Sequence, residues 1–545
     1  MTAQTIASLA VDSLIANGID TLYCVPGVQN DAFFDALYHR RDRLTPVHAR
    51  HEQGSAYMAL GAALATGQPQ AVSVVPGPGF LNASAALATA HSLNAPVMAL
   101  VGQIPSGTIG RATGQLHEID GQFEILGKFT KHAEHVADGA RAPAQLTDAW
   151  RALRSGRPQP VGLEIPVDCW LKPTDYDRGT LAVPARATPV PKADQLDAAA
   201  RAIRAARCPM IVVGGGAHAH AANVRALAHR LGAGVVAYRT GHGVMPASDA
   251  LSLTNPAGHA LWRDCDLVIG LGTRLATQTV AWGLDAAMTV VHIDIDASAF
   301  RSSDATTVAV HADLADALPA LLDVLGEQPD RSAWCARIAA VKATTANAIA
   351  DTLAPQLAWL DAIRQALPAD GVLLDELTQI GFVSRFAFPV TAPRQFLSTG
   401  YQGTLGWGIA AAIGAAHARR DVPVVSITGD GGALFTITEL ATAVHHRIPV
   451  NIVVMNDNAY GNVKGIQRDH YGGRYIASDL TSPDFVALAE SFGATGARAE
   501  TPDALSDALA TAVASPDVNV IEVPVGEFPS PWPYILMPKL RGTGA

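Results

Sequence analysis

Eight short apolar runs, TLYCVPG, QAVSVVPGPG, APVMALVGQ, PMIVVGGG, DLVIGLG, MTVVHIDID, VPVVSITGDGG and PVNIVVMND, alternate with Ala-rich helical stretches along nearly the whole chain. A continuous apolar run suits a strand covered on both faces, and a strand–helix–strand order returns the chain to the same sheet edge, which makes the pairing parallel. With glycine at most strand exits, the alternation predicts doubly wound parallel sheets. Two stretches interrupt it. LKPTDYDRGTLAVPARATPVPK (171–192) reads as a Pro-rich surface linker, and a vaguer break lies between Gly326 and Leu353, where an Ala-rich helical segment precedes a new strand–helix series. They divide the chain into three α/β units, residues 1–172, 190–328 and 352–535. Units one and three have strand, Gly loop and long helix in similar order, as related folds would.

The 545 residues fit about three or four ordinary domains, and 49% hydrophobic against 16% charged residues gives each a core to bury. The net charge of −10 provides no basic footprint, so nucleic acid and anionic membrane surfaces are not expected partners. Five cysteines without CxxC spacing suit reduced thiols in a cytoplasmic setting. MTAQTIASLAVDSLIANGID lacks a basic start and reads as an amphipathic helix, not a signal peptide, and no apolar run reaches membrane-spanning length.

Chemistry concentrates in GDGGALFTITELATAVHHRIPVNIVVMNDN (429–458). Residues 422–428 read as a strand, Gly429 to Gly432 as a tight loop, 434–446 as a helix, and Val450 to Met455 as the next strand. Parallel connectivity then brings Asp430 and Asp457 to one sheet edge, at the strand C-termini where open α/β sheets bind ligands. Glycines and a helix start there suit a phosphate, and two carboxylates beside a phosphate need a cation between them. Mg²⁺ fits, because it takes one or two carboxylates together with phosphate oxygens and water.

The GDG, with the Asp of NDN 27 residues on, resembles the diphosphate-binding signature of thiamine diphosphate-dependent enzymes. That resemblance implies Asp430, Asp457 and the Ala459 carbonyl as metal ligands, with Gly431, Gly432, Tyr460 and Gly461 lining the diphosphate. ARHEQGSAYMALGAALATG (49–67) resembles the helix that carries the family's activating glutamate, which places that residue at Glu52. A carboxyl hydrogen-bonded to the cofactor's N1′ favours the imino tautomer that deprotonates C2. STGYQGTLGWGIAAAIGAA resembles the segment that holds the aminopyrimidine, through the Gly403 carbonyl and Leu405. The order and coverage of these matches, roughly residues 5 to 530, resemble acetolactate synthase-like members most.

The resemblance implies a pyrimidine-binding, a central and a diphosphate-binding domain in tandem. It also implies a homo-oligomer whose site is shared between chains, and decarboxylation of a 2-oxo acid with protonation of the product or its coupling to a second carbonyl. Three departures bear on the substrate and cofactors. Val28 follows Pro26-Gly27 where a second glycine is usual. The family's active-site Gln best aligns with His117 of LHEID, one residue out of register with Lys131-His132, and an imidazole there can donate to a substrate carboxylate or act as an acid. GTRLATQTVAWG lacks the acidic stretch of FAD-binding relatives, so FAD is not expected despite the glycines at 214–216 and 270–272. The tail PSPWPYILMPKLRGTGA reads as a lid. Cleavage of a 2-hydroxyacyl-CoA or a 1,2-dione by a related enzyme is the alternative. A nicotinamide oxidoreductase is disfavoured because neither Gly loop matches GxGxxG with an acid about 20 residues on. A non-catalytic binding protein would bind the cofactor without turnover.

Overall fold

The computed structural model describes residues 4–185, 187–237, 239–302 and 307–542. Its strands form three six-stranded parallel sheets. The first contains β1 (Thr21–Cys24), β2 (Thr45–His48), β3 (Gln70–Val74), β4 (Val97–Gln103), β5 (His132–His135) and β6 (Val161–Pro166). The second contains β7 (Pro209–Val213), β8 (Gly234–Ala237), β9 (Ser252–Leu253), β10 (Leu267–Leu271), β11 (Thr289–Asp294) and β12 (Thr307–His311). The third contains β13 (Val372–Leu374), β14 (Phe396–Leu397), β15 (Val424–Gly429), β16 (Val450–Asn456), β17 (Thr495–Arg498) and β18 (Val518–Pro524). All eight apolar runs are strands, and they occupy the middle of the sheets, where helices cover both faces.

The sheet orders are β2-β1-β3-β4-β6-β5, β12-β11-β10-β7-β8-β9 and β14-β13-β15-β16-β18-β17. The first and third are the same order of six, and the likeness extends to a buried side chain. Glu164 of β6 accepts from Gln103 Nε2 of β4 (2.9 Å) and lies 2.7 Å from His135 Nδ1 of β5. Glu522 of β18 accepts from Asn456 Nδ2 of β16 (2.7 Å) and from Arg498 Nη2 of β17 (2.8 Å). Each glutamate thus has an amide from its inner neighbour and a basic side chain from the edge strand, at matching register. The second sheet has the order of dinucleotide-binding folds, with its switch point between β7 and β10.

One apolar core runs through the first and third domains. Helix Glu52–Thr66 crosses helix Gly408–Ala418 at glycines: a Cβ on Gly61 would lie 2.0 Å from the Ala411 carbonyl, and one on Gly414 would lie 1.9 Å from that of Met58. The backbones touch there, so only glycine fits. The stretch 171–192 is more than a surface linker. Tyr176, Leu181 and Val183 are buried, and Asn17 Nδ2 donates to the Leu181 carbonyl (2.9 Å), strapping the segment onto the N-terminal helix Ile6–Ala16. A helix over Ser332–Ala366, bent at Leu353 two residues before Pro355, spans the second break. Among the described residues no helix is long and apolar enough to cross a membrane.

Candidate active site

β15 and β16 pair in parallel, with Gly429 opposite Met455, and so deliver Asp430 and Asp457 to one edge of the third sheet. Asp430 is buried and accepts from the Ser482 hydroxyl (2.6 Å). The Asp457 carboxyl is close enough to Asp430 to feel its charge and is pushed up to about 6, by burial first and then by that charge. Two acids held together so that one resists ionising form a donor set that a divalent cation relieves. Ala459 forms a bridge with Asp479 that is closed by Tyr460 N–H to Ser478 and Leu480 N–H to Asn458, both 2.8 Å, and this pair of bonds leaves the Ala459 carbonyl out. A Cβ on Gly461 would lie 2.2 Å from Asp457 Oδ2, and one on Gly431 would lie 2.8 Å from the Tyr460 ring. The loops approach each other as a cradle for a small polyanion requires.

The helix expected over 434–446 is broken. Asp430–Ala433 is already a helical turn, Ile437–Glu439 is a 3-10 turn, and Leu440–His445 is a short helix. Thr436, at the break, donates its hydroxyl to the Gly406 carbonyl (3.0 Å), and a Cβ on Gly406 would lie 2.5 Å from that of Phe435. The bend therefore fits this segment against the stretch that contains Gly403, which has φ +55°, and the half-buried Leu405.

Glu52 opens its helix, with the His51 side chain accepting from Gln53 N–H. Its Oε2 accepts from Asn82 Nδ2 (3.0 Å), and its Oε1 lies 3.4 Å from the Cβ position of Gly79. His117 (φ 68°) flanks the same turn: its carbonyl lies 2.3 Å from the Cβ position of Gly77, and its buried Nδ1 has no partner. The Glu52 side chain and the His117 backbone thus flank one turn of the first domain, and the acid pair is assembled in the third. Among the described residues no hydrogen bond joins the two groups within one chain.

Two buried glutamates escaped the sequence reading. Glu376 accepts from Gly406 N–H (2.5 Å) and from the Thr428 hydroxyl, which ties the Leu405 segment to the strand leading to Asp430. Two acids directly after the VLL of β13 were the available signal. Glu439 accepts from Arg50 N–H (3.1 Å) and His51 N–H (3.0 Å), so the third domain fixes the turn that launches Glu52. Nothing in its sequence surroundings marks that partner.

Burial pushes Glu376 up from 4.5 to about 7. Because its folded value lies above its unfolded one, its contribution to stability is full below about pH 4.5 and is lost as pH rises through about 7. Asp375 and Asp457 are raised in the same direction. His218, His242, His417 and His446 are lowered by burial and act in the opposite sense, contributing more stability as pH rises toward 6.5, so the share of Glu376 is isolated by substitution. Glu376→Gln should remove from the stability profile a loss on the order of 3 kcal/mol between about pH 4.5 and pH 7, and so change its slope over that range. An unchanged slope in thermal denaturation series would contradict the assignment.

A cavity of about 720 Å³ adjoins Asp457 and Gly461 and is walled by helix Gly461–His470, by Lys464 and Arg468 on that helix, and by Trp532 and Leu536 of the tail. Trp532 Nε1 donates to Asn462 (3.1 Å), and beyond the cavity the tail anchors on the central domain, where buried Arg541 donates to the Trp262 carbonyl (2.9 Å). The tail is therefore a strap between domains as well as a wall of the cavity.

A second cavity, of about 530 Å³, opens where the three domains meet at the switch point of the second sheet, with Arg157, Arg274 and Arg394 in its lining. Gly214 and Gly272 are needed there by each other. A Cβ on Gly214 would lie 2.4 Å from the Gly272 carbonyl, so these glycines serve the packing of one loop on the other.

A paired-acid cradle on the edge of one doubly wound domain, and a glutamate-led helix on a second domain of the same topology, define a thiamine diphosphate enzyme. Three family models agree. They are described as the N-terminal TPP binding domain, the central domain and the C-terminal TPP binding domain of thiamine pyrophosphate enzymes, and they match residues 4–125, 196–321 and 378–523. The chain is 32% identical over 530 residues to a protein of Pseudomonas aeruginosa named probable 2-ketoarginine decarboxylase, covering 95% of this chain and 93% of that one. It is 32% identical to the acetolactate synthase large subunit of Parasynechococcus marenigrum (98% and 90% covered) and 31% identical to the acetolactate synthase isozyme 2 large subunit of Escherichia coli (97% of each). The chain belongs to the thiamine diphosphate-dependent, acetolactate synthase-like enzymes.

Proposed function

We propose that this enzyme uses thiamine diphosphate and Mg²⁺ to decarboxylate a 2-oxo acid and couple the product to a second carbonyl, in the manner of acetolactate synthase. The convergence of Asp430 and Asp457 carries the reading, since a raised carboxyl beside a second acid suits a metal–diphosphate bridge. Asp430, Asp457 and the Ala459 carbonyl hold the metal, and Gly431, Gly432, Tyr460 and Gly461 line the diphosphate. The Gly403 carbonyl and Leu405 receive the aminopyrimidine. When bound, the cofactor supplies a nucleophilic carbon and an electron sink for loss of CO₂. Glu52 holds a proton against the ring nitrogen N1′. His117, with Nδ1 unpartnered, donates to the substrate carboxylate.

The structural units are a pyrimidine-binding domain (1–172), a central domain (190–328) and a diphosphate-binding domain (352–535). The site is completed across a homo-oligomer, at least a dimer, with Glu52 of one chain meeting the acid pair of another. The free thiols of Cys24, Cys169, Cys208, Cys265 and Cys335, three of them buried, support a cytoplasmic location. The test is a panel of 2-oxo acids, from pyruvate to one bearing a guanidinium as in the name of the Pseudomonas relative, with cofactor and Mg²⁺. CO₂ release together with a coupled product is expected, and release without coupling would leave a simple decarboxylase.

The Arg-lined cavity at the switch point favours a second reading, cleavage of a 2-hydroxyacyl-CoA, since guanidinium groups match nucleotide phosphates. Purified protein should be colourless. Retention on immobilised CoA would support this second reading, and a stoichiometric yellow flavin would overturn both this use of the cavity and the expected absence of FAD.

A further inference from the structure

Away from the acid pair, three imidazoles meet on the seam between the first and third domains. His48 ends β2, His445 ends helix Leu440–His445, and His446 follows it. Their ring centroids form an almost equilateral triangle, 4.8 Å from His48 to His445, 4.7 Å from His48 to His446 and 4.8 Å from His445 to His446, and every pair meets edge to face. One nitrogen from each ring lies within 4.8 Å of the others. His48 and His446 are half-buried and His445 is exposed, so the triangle has a protein side and a solvent side.

The surroundings bear on what this group can hold. Arg50 and His417 are the other basic groups whose charge reaches it. Burial, followed by the charges of neighbouring histidines, drives His446 down to about 4, and burial also lowers His48. Neutral imidazoles are ligands for first-row transition metals, whereas the hard cation expected at the acid pair prefers oxygen. His446 Nε2 accepts from His48 N–H at 3.2 Å, which keeps that nitrogen unprotonated when no metal is bound.

We propose that His48, His445 and His446 form a site for a transition-metal dication of the Zn²⁺ class, a staple between the first and third domains distinct from the cofactor's metal. Tetrahedral zinc at about 2.0–2.1 Å from three imidazole nitrogens needs them roughly 3.4 Å apart. The rings reach this by side-chain rotation, easiest at exposed His445, and His446 exchanges its bond from His48 N–H for the metal. The fourth position faces solvent. His48 lies four residues before Glu52, and the His445 helix begins directly after Glu439, which holds the Arg50 and His51 N–H groups. A metal here therefore ties down both ends of the turn that presents Glu52.

The test uses chelator-treated full-length protein, resaturated with thiamine diphosphate and Mg²⁺ so that the acid pair is filled, and titrated with Co²⁺. One equivalent per chain should develop the intense visible bands of low-coordinate Co²⁺, Zn²⁺ should bleach them, and Zn²⁺ should raise the thermal midpoint. His445→Ala, at an exposed position that leaves the fold intact, should weaken binding roughly tenfold or more, and adding His446→Ala should abolish it. A titration without bands, or bands that persist unchanged in the double variant, would overturn the proposal.

Discussion

Glu52→Gln should lower turnover by a factor on the order of 10²–10⁴ while cofactor affinity changes little. The amide keeps the shape and the bond from Asn82, which at present reaches Glu52 Oε2 at 3.0 Å, but it cannot share a proton with N1′. The anchors proposed for the diphosphate lie in the third domain, so binding and turnover should separate. Exchange of the cofactor's C2 proton, read by NMR after acid quench, should slow in parallel with decarboxylation. Wild-type exchange in the variant would remove Glu52 from the mechanism and weaken the functional assignment with it.

Asp430→Ala should abolish Mg²⁺-dependent retention of thiamine diphosphate, because it removes one of the two carboxylates that bracket the metal. Burial and a hydrogen bond from Ser482 make Asp430 part of the packed loop, so circular dichroism should first establish that the variant is folded. The same variant tests the shared site. Mixed and reassembled with Glu52→Gln protein, it should recover about a quarter of wild-type activity, since half of the dimers are mixed and each mixed dimer has one site with both residues intact. No recovery after demonstrated subunit exchange would mean that Glu52 and Asp430 serve the same site from one chain. Unchanged cofactor affinity in Asp430→Ala would sink the metal assignment.

The site was only partly readable before folding. Asp430 and Asp457 announce themselves because each follows a run that is unmistakably a buried strand, and parallel pairing leaves no freedom about which edge they reach. Glu376 and Glu439 do not, because their partners, Gly406 with Thr428 and Arg50 with His51, lie about 30, 52 and nearly 390 residues away in sequence. The break in the helix at Thr436 was equally hidden, since it follows from the contact of Phe435 and Thr436 with Gly406, about 30 residues away, and not from the helix's own composition.

The sequence by itself determined the centre of each sheet and the ends of those strands. β1, β3 and β4, then β7, β10 and β11, then β15 and β16 are covered on both faces and are predominantly apolar, which makes them visible in any order of reading. The tertiary structure alone decided the rest. β6 and β18 carry Glu164 and Glu522 inside the sheet, acids that look out of place in a buried strand until Gln103, His135, Asn456 and Arg498 arrive from other strands to pair with them. The common order of the first and third sheets emerges only with those strands in place. The placement of Glu52 is likewise a tertiary property, for Gly61 and Gly414 let two helices touch backbone to backbone, and a carboxylate from the third domain then sets the turn from which Glu52 projects.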